Sequence, residues 1–526
     1  MATTTALPIS SAQSERLLHR SELRSANLLV TLLTPLVLVV NGYHPYAEDG
    51  GLYMAGIKRL LDPALYPHST GFVTEHLRFS LFAPTVVDLV RWSHLDLPFV
   101  LLLMHLASIW LVLFAAYLLA ARCYHSREAR VGAVSLLAMW ITLPIAGTSL
   151  MLMDPYVTAR SISTPCVLLA LVGIVEFLSP VSNLWEDKRF GLALCCGSLI
   201  VAATMHPLMA AYGFGCVLVL GCMLSSTRWL RIWGTAALCL TAFGVAAGIQ
   251  ALSPPENAMY LRVAMTRYYW FLGAWHWYEQ FGLAAPLLIL AIIGFRSHRE
   301  DAAAKVALAR MAVVCGAMAV VIAALFARQQ SSIHMVARLQ PLRIFQIVYV
   351  VMILALGAAL AEWALRRRLL RWVATFTLLA SVMLGAERCT FPASAHLELP
   401  WTSSQNQWEQ AFLWIRQNTP KSALFALDAH YITSPGEDAQ CFRAIAERSV
   451  LPDYSKDGGE TSVTPALTSA WATGETAQER LDLESDAQRI ASLKPLDVSW
   501  VVLKQAAATS FDCPYTNAAV KVCRLP

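Results

Sequence analysis

Charge is scarce in this chain. Asp, Glu, Lys and Arg together make up 14% of its 526 residues, against about 25% in an ordinary globular protein. That shortage excludes a soluble enzyme, a disordered scaffold and a nucleic-acid module. Glycosylation acceptors are missing too: Asn418-Thr419 is followed by Pro420, and no other Asn has Ser or Thr two positions on. This favours a prokaryotic plasma membrane over a secretory lumen. The first apolar run ends at Asn41-Gly42-Tyr43 without a small-residue cleavage pattern, so it reads as an uncleaved anchor rather than a signal peptide. There is no internal repeat, and the C-terminal segment holds no Ser/His/Asp elbow, phosphate loop or paired metal-binding Cys motif.

Apolar surface is abundant instead, at 57% of residues. Eleven runs are long enough to cross the roughly 30 Å hydrocarbon core as helices. They lie near 25–42, 97–121, 131–152, 160–180, 190–205, 207–224, 230–251, 281–295, 307–327, 344–364 and 371–386. With a cytoplasmic N-terminus, the loops carrying Arg122/Arg127/Arg130, Lys188/Arg189, Arg228/Arg231, Arg296/Arg299/Lys305 and Arg366/Arg367/Arg368/Arg371 all fall inside. The C-terminal segment then lies outside. Residues 1–386 hold 28 Lys and Arg against 18 Asp and Glu, whereas residues 387–526 hold 12 against 17. The expected fold is therefore an α-helical polytopic membrane bundle with a small extracytoplasmic α/β domain. Its divisions are an N-terminal tail over 1–24, a membrane domain over 25–386 and an outer domain over 387–526. Four of the twelve cysteines (Cys389, Cys441, Cys513 and Cys523) lie in the outer part and are candidates for two disulfides. Cys195, Cys196, Cys216 and Cys222 read as packing residues.

The outer loops, 43–96, 253–280 and 328–343, are longer and richer in reactive groups. In the first, Glu48 and Asp49 precede Gly50-Gly51 and an amphipathic stretch in which Leu52, Tyr53, Gly56, Ile57, Leu60 and Leu61 share a face. A short interfacial helix is expected there, ended by Asp62-Pro63. The two acids can simply cap that helix. Alternatively one of them takes a proton from an acceptor hydroxyl or ligates a divalent cation, as a partly desolvated carboxylate at a membrane boundary is suited to do. Asp154-Pro155 enters a span as an N-cap and first-turn proline would. Arg160 lies one turn further in, where an ionisable group either snorkels or faces a wet cavity. Glu48, Asp49 and Asp154 together have the hard oxygens that suit Mg²⁺ or Mn²⁺. In the last outer loop, Arg338 and Arg343 offer planar donor forks for a phosphate, or a rim for anionic headgroups. His206, His276 and His334 also face outward, each with a structural role as its plainer reading. The run from Tyr268 to Tyr278 reads as an aromatic belt, with a sugar-stacking platform as its alternative.

The acidic pair soon after the first span, the juxtamembrane helix, the many-span bundle and the outer C-terminal domain resemble the GT-C superfamily of membrane glycosyltransferases. The phrase Trp414-Ile415-Arg416-Gln417-Asn418-Thr419-Pro420 is similar to segments in outer domains of bacterial GT-C-like proteins. The resemblance implies a polyprenyl-phosphate or polyprenyl-diphosphate sugar donor. It also implies a lipid, glycan or protein acceptor, and an acid of the first outer loop, Asp49 before Glu48, as base or metal ligand. The chain departs from the family in having Glu-Asp followed by two glycines. Rival readings are an O-antigen-ligase or polymerase-like transferase that relies on the arginines, a transporter or flippase, and a polyprenyl-lipid-binding protein.

In the outer segment, Trp408, Phe412 and Ile415 recur at helical spacing before the stop at Asn418-Thr419-Pro420. Strands are expected over Ser422–Tyr431, Asp497–Lys504 and Ala518–Arg524, with a helix over Ala439–Arg448. Acceptor recognition or shielding is the role expected of this domain.

Overall fold

The computed structural model of the protein describes residues 11–178, 188–296 and 303–526. Arg299, the side chains of Arg16 and Arg20, and the Ser/Thr-rich first ten residues lie outside the described residues. Among the described residues, ten helices are long and apolar enough to cross a membrane, from Leu23–Asn41 to Leu369–Thr390.

The third expected span, 131–152, is not a full helix. Helix Arg127–Met139, capped by the Ser126 hydroxyl accepting from Ala129 N–H, has 13 residues. It is thus about 20 Å long, short of the hydrocarbon thickness. Beyond Trp140 the chain continues as irregular backbone to the start of helix Ala159–Leu178. Such backbone survives near a bilayer only where protein satisfies its polar groups. Here Ile145 N–H donates to Leu150 O, Leu152 N–H to Leu143 O and Met153 N–H to Ile141 O, while the Gln346 amide donates to Leu152 O at 2.8 Å. Helix Phe345–Leu360 is buried along almost its whole length and packs on the short helix at a glycine contact, where a Cβ on Gly132 would stand 2.6 Å from Gly357 O.

The basic ends gather on one side. Arg122 pairs with Glu176 at 2.8 Å, Ser126 bonds Glu362 at 2.7 Å, Arg367 meets Glu128 at 3.1 Å and Lys305 lies over the Tyr124 ring. Helix Leu97–Cys123, 27 residues or about 40 Å long, carries Arg122 near this end and packs Leu97 and Val100 with Met54 and Ile57 at its other end.

The last membrane helix runs on to Thr390, followed by the C-terminal domain, labelled the outer domain for its expected side. Its five-stranded mixed sheet comprises β1 (Leu424–Ala426), β2 (Ser449–Val450), β3 (Trp500–Lys504), β4 (Tyr515–Thr516) and β5 (Val520–Arg524), in the order β2-β1-β3-β5-β4. β1 pairs in parallel with β2 and β3, and β5 pairs antiparallel with β3 and β4. Helix Gln407–Asn418 lays Trp408, Phe412 and Ile415 against the sheet, at the spacing its sequence shows. The expected strand over Ser422–Tyr431 shrinks to three residues, and the expected helix over Ala439–Arg448 to Phe442–Ala446. Helix Lys456–Val463 lies in a stretch for which the sequence pattern gave no element. Cys513 and Cys523 form a disulfide; Cys389 and Cys441 are free thiols, the first exposed and the second buried. Cys195 and Cys216 are buried packing residues, while Cys196 is exposed.

Candidate active site

The helix within the first outer loop, Glu48–Leu61, is not laid on a bilayer surface. Gly50, Gly51, Met54, Ala55, Gly56 and Ile57 are buried, and Lys58 reaches the outer domain through Ala444 O at 2.7 Å and Glu447 at 2.8 Å. The helix is clamped between bundle and outer domain, and the two glycines make this possible. A Cβ on Gly51 would stand 2.2 Å from Cys441 Cβ, and one on Gly50 2.8 Å from the Tyr156 ring. Glu48 begins the helix at φ 51°, in the left-handed region, a conformation that costs a non-glycine residue about 1–3 kcal/mol. Its N–H is fixed to Ala439 O at 2.9 Å.

Neither acid caps the helix with its side chain. Arg160 donates to Asp49 Oδ2 through both terminal nitrogens at 3.2 Å, and to Asp154 Oδ2 at 2.8 Å. Arg160 and Asp154 are each 6% exposed, so the arginine does not snorkel; the helix begins only at Ala159, so the aspartate is not its N-cap. From the other side Lys456 of the outer domain donates to Asp49 Oδ1 at 3.3 Å and pairs with Glu48. Burial alone would raise the Asp49 pKa. Lys456, then Arg160 and Arg343, outweigh it and hold the carboxyl well below its usual range. The Asp49 side chain nonetheless keeps 33% of its surface exposed, so the network opens to a visitor at this residue.

Arg343 adds a third cation. Its charge acts on Asp49 and on His206, yet its guanidinium makes no hydrogen bond or ion pair among the described residues, and its buried Nε has no partner. A desolvated cation without a partner is costly, and an anion bound beside it removes that cost. His206 caps the helix that follows it by accepting from Met209 N–H at 3.4 Å. Burial first, then Arg160 and Arg343, push its pKa down to about 3, so it stands beside the site as a neutral ring.

The remaining predicted residues lie apart. Arg338 is held by Glu256 at 3.2 Å and by the Tyr260 hydroxyl at 3.0 Å. His334 is fully buried and bonds the same Glu256 at 2.8 Å. These two brace the second outer loop against the third. His276 is exposed and stacks on Tyr278. The aromatic run divides: Trp270, Phe271 and Trp275 are buried, whereas Tyr268, Trp277 and Tyr278 are exposed as a belt would be. Lys456 was not visible in the sequence reading. Its nearest local signal is a second glycine pair, Gly458-Gly459, in the same helix.

The lone pairs of Glu48, Asp49 and Asp154 are directed at Lys456 and Arg160, and no group of three or more His, Cys, Asp and Glu among the described residues is arranged to hold a metal. In this arrangement the acid oxygens are engaged by Lys456 and Arg160 rather than left open to a resident Mg²⁺ or Mn²⁺.

No protein-family model matches the chain, and no curated protein matches it in sequence. Among solved structures, the chain is similar to the archaeal oligosaccharyltransferase AglB from Archaeoglobus fulgidus, in complex with an inhibitory peptide and a dolichol-phosphate. The identity is 12% and the TM-score 0.44, over 91% of this chain and 69% of that one.

Proposed function

We propose that this chain is a GT-C-type membrane glycosyltransferase that moves a sugar from a polyprenyl-phosphate or polyprenyl-diphosphate donor to an acceptor hydroxyl at the outer face of a plasma membrane. The observation that carries the reading is the pairing of Asp49 with Arg160 and Lys456, under the charge of the unpartnered Arg343, where the bundle and the outer domain join.

A donor phosphate finds in Arg343 a cation with no acid to displace, and competes with Asp49 for Arg160 and Lys456. Drawing those cations toward the phosphate loosens their hold on Asp49 and raises its proton affinity. The carboxylate then accepts the proton of the acceptor hydroxyl as that oxygen bonds the anomeric carbon. The bond from that carbon to the phosphate oxygen breaks with its electron pair, and the arginines stabilise the charge left on phosphate. One displacement inverts the anomeric centre. Free Asp49, held ionised by its neighbours, is a weak base; donor binding is what makes it a better one.

The test is transfer by the purified full chain in nanodiscs containing a set of polyprenyl-phosphate sugars, with native mass spectrometry of the bound lipid. A polyprenyl adduct lost in a folded Arg343→Gln variant, with an inverted product, supports the reading. Ordinary phospholipid alone in both proteins, with no transfer from any donor, supports the transporter or binding-protein reading instead.

A further inference from the structure

Apart from this site, a cavity of about 560 Å³ opens between the first outer loop, the start of helix Leu97–Cys123 and the outer domain. This lies within the roughly 300–1,000 Å³ of small-molecule sites. None of Glu48, Asp49, Asp154, Arg160, Arg343 and Lys456 lines it. Between the two sites the loop is stitched to the outer domain, Cys441 N–H donating to Tyr46 O and Glu48 N–H to Ala439 O.

The walls combine aromatic faces with neutral and acidic hydrogen-bonding groups. Tyr46, Trp414 and Tyr515 supply the rings; Glu398, Glu409 and Gln410 supply polar atoms. Trp414 and Tyr515 stand with centroids 5.2 Å apart at 31°, forming an angled apolar shelf. No Lys, Arg or His lines the cavity, which disfavours a phosphate or carboxylate ligand. Two polar atoms here lack hydrogen-bond partners: Tyr43 Oη, on a residue 1% exposed, and Glu398 Oε2, on a side chain 9% exposed. His44 Nδ1 stands 3.5 Å from that Oε2 without hydrogen-bond geometry. Burial pushes Glu398 up to about 8, and burial with the neighbouring Glu398 pushes Glu409 up to about 7. Near neutral pH such carboxyls donate as well as accept. Flat apolar faces beside groups of both hydrogen-bonding senses complement a ring whose C–H face is apolar and whose rim carries hydroxyls.

We propose that this cavity is a saccharide site, binding a neutral polyhydroxylated ring or short glycan with one face on Trp414 and Tyr515 and hydroxyls on Glu398, Glu409 and Gln410. The proposal stands on the cavity alone and does not require the transfer reaction.

The experiment is saturation-transfer NMR on the full chain in nanodiscs, free of sugar-headed detergent. The probes are methyl α-glucoside, methyl α-mannoside, cellobiose and N,N′-diacetylchitobiose, each set against a uronic acid counterpart and a panel of neutral peptides. At least one neutral saccharide binds in the millimolar range and at least tenfold better than its uronic acid. Trp414→Ala removes the signal, Trp414→Phe keeps it, and both retain the wild-type Tm. If Trp414→Ala lowers Tm, Gln410→Ala and Gln417→Ala on the same wall decide, each weakening binding by about threefold or more. No neutral saccharide bound at 50 mM, a preference for the uronic acids or peptides, or an undiminished signal in the folded wall variants overturns the proposal. Lys456→Met, which attacks the other site, leaves saccharide binding intact, so failure of one reading is separable from failure of the other.

Discussion

Lys456 Nζ lies 3.3 Å from Asp49 Oδ1 across 407 residues of sequence, so the outer domain supplies half of the cation pair that grips the first-loop carboxylate. Replacing the ammonium frees that carboxyl to titrate at higher pH. In Lys456→Met the acid limb of the transfer pH profile moves upward and kcat/KM falls about 10- to 100-fold, while Asp49→Asn costs about 100-fold or more. An unmoved acid limb in the folded lysine variant would remove Asp49 from the proton-accepting role.

Arg343 and Arg338 separate by stability as well as binding. Among the described residues the Arg343 guanidinium has no hydrogen-bonded partner, so Arg343→Gln leaves Tm unchanged or raises it, and weakens binding of a polyprenyl phosphate by about 10- to 100-fold. Arg338→Gln breaks the Glu256 pair and lowers Tm by several degrees. Thermal melts with lipid titration check both, and the opposite assignment would exchange the two roles.

Metal removal is informative because Lys456 and Arg160 already engage the three acids. Transfer in EDTA is expected within about twofold of that in Mg²⁺ or Mn²⁺. A tenfold or larger loss on chelation, restored by either ion, would show that both cations withdraw to admit a metal.

Gly51 packs with no room for a side chain, its notional Cβ 2.4 Å from Tyr46 O as well as against Cys441. Gly51→Ala costs about 1–3 kcal/mol through forced displacement and speeds proteolysis between bundle and outer domain. Gly197→Ala, with nothing within 4 Å of its Cβ position, is neutral or mildly stabilising. Equal melting of the two variants would contradict the clamp.

Stability depends on pH through the buried acids. Glu398 and Glu409 titrate near 8 and 7 in the folded chain, above the ordinary 4.5. The folded state therefore binds more protons than the unfolded one between these values, and stability falls as pH rises through them. Burial lowers His44 and His76 to about 4 from 6.5; their contribution has the opposite sign and is complete above pH 6.5. Tm consequently declines from pH 6.5 to 8, by on the order of 1 kcal/mol in stability per acid. Glu398→Gln flattens that slope; an unchanged slope would assign it elsewhere.

Much of the architecture was legible because bilayer thickness and backbone hydrogen bonding leave few options to an apolar run. The ten long helices and the Trp408, Phe412 and Ile415 spacing of helix Gln407–Asn418 followed from local pattern. The third passage did not, because Phe345–Leu360 and Gln346 satisfy an irregular stretch that no window of residues 131–152 reveals.

The sequence by itself determined a polytopic bundle with a soluble α/β tail, and marked Asp49, Glu48, Asp154, Arg160 and Arg343 as chemistry-bearing groups, because residue type and periodicity are local properties. Tertiary structure alone decided which charges meet. It joined Asp49 to Arg160 and to Lys456 and left Arg343 without a partner. It also sent Arg338 and His334 to Glu256. Ion pairing depends on distance and desolvation, and neither is set by sequence separation.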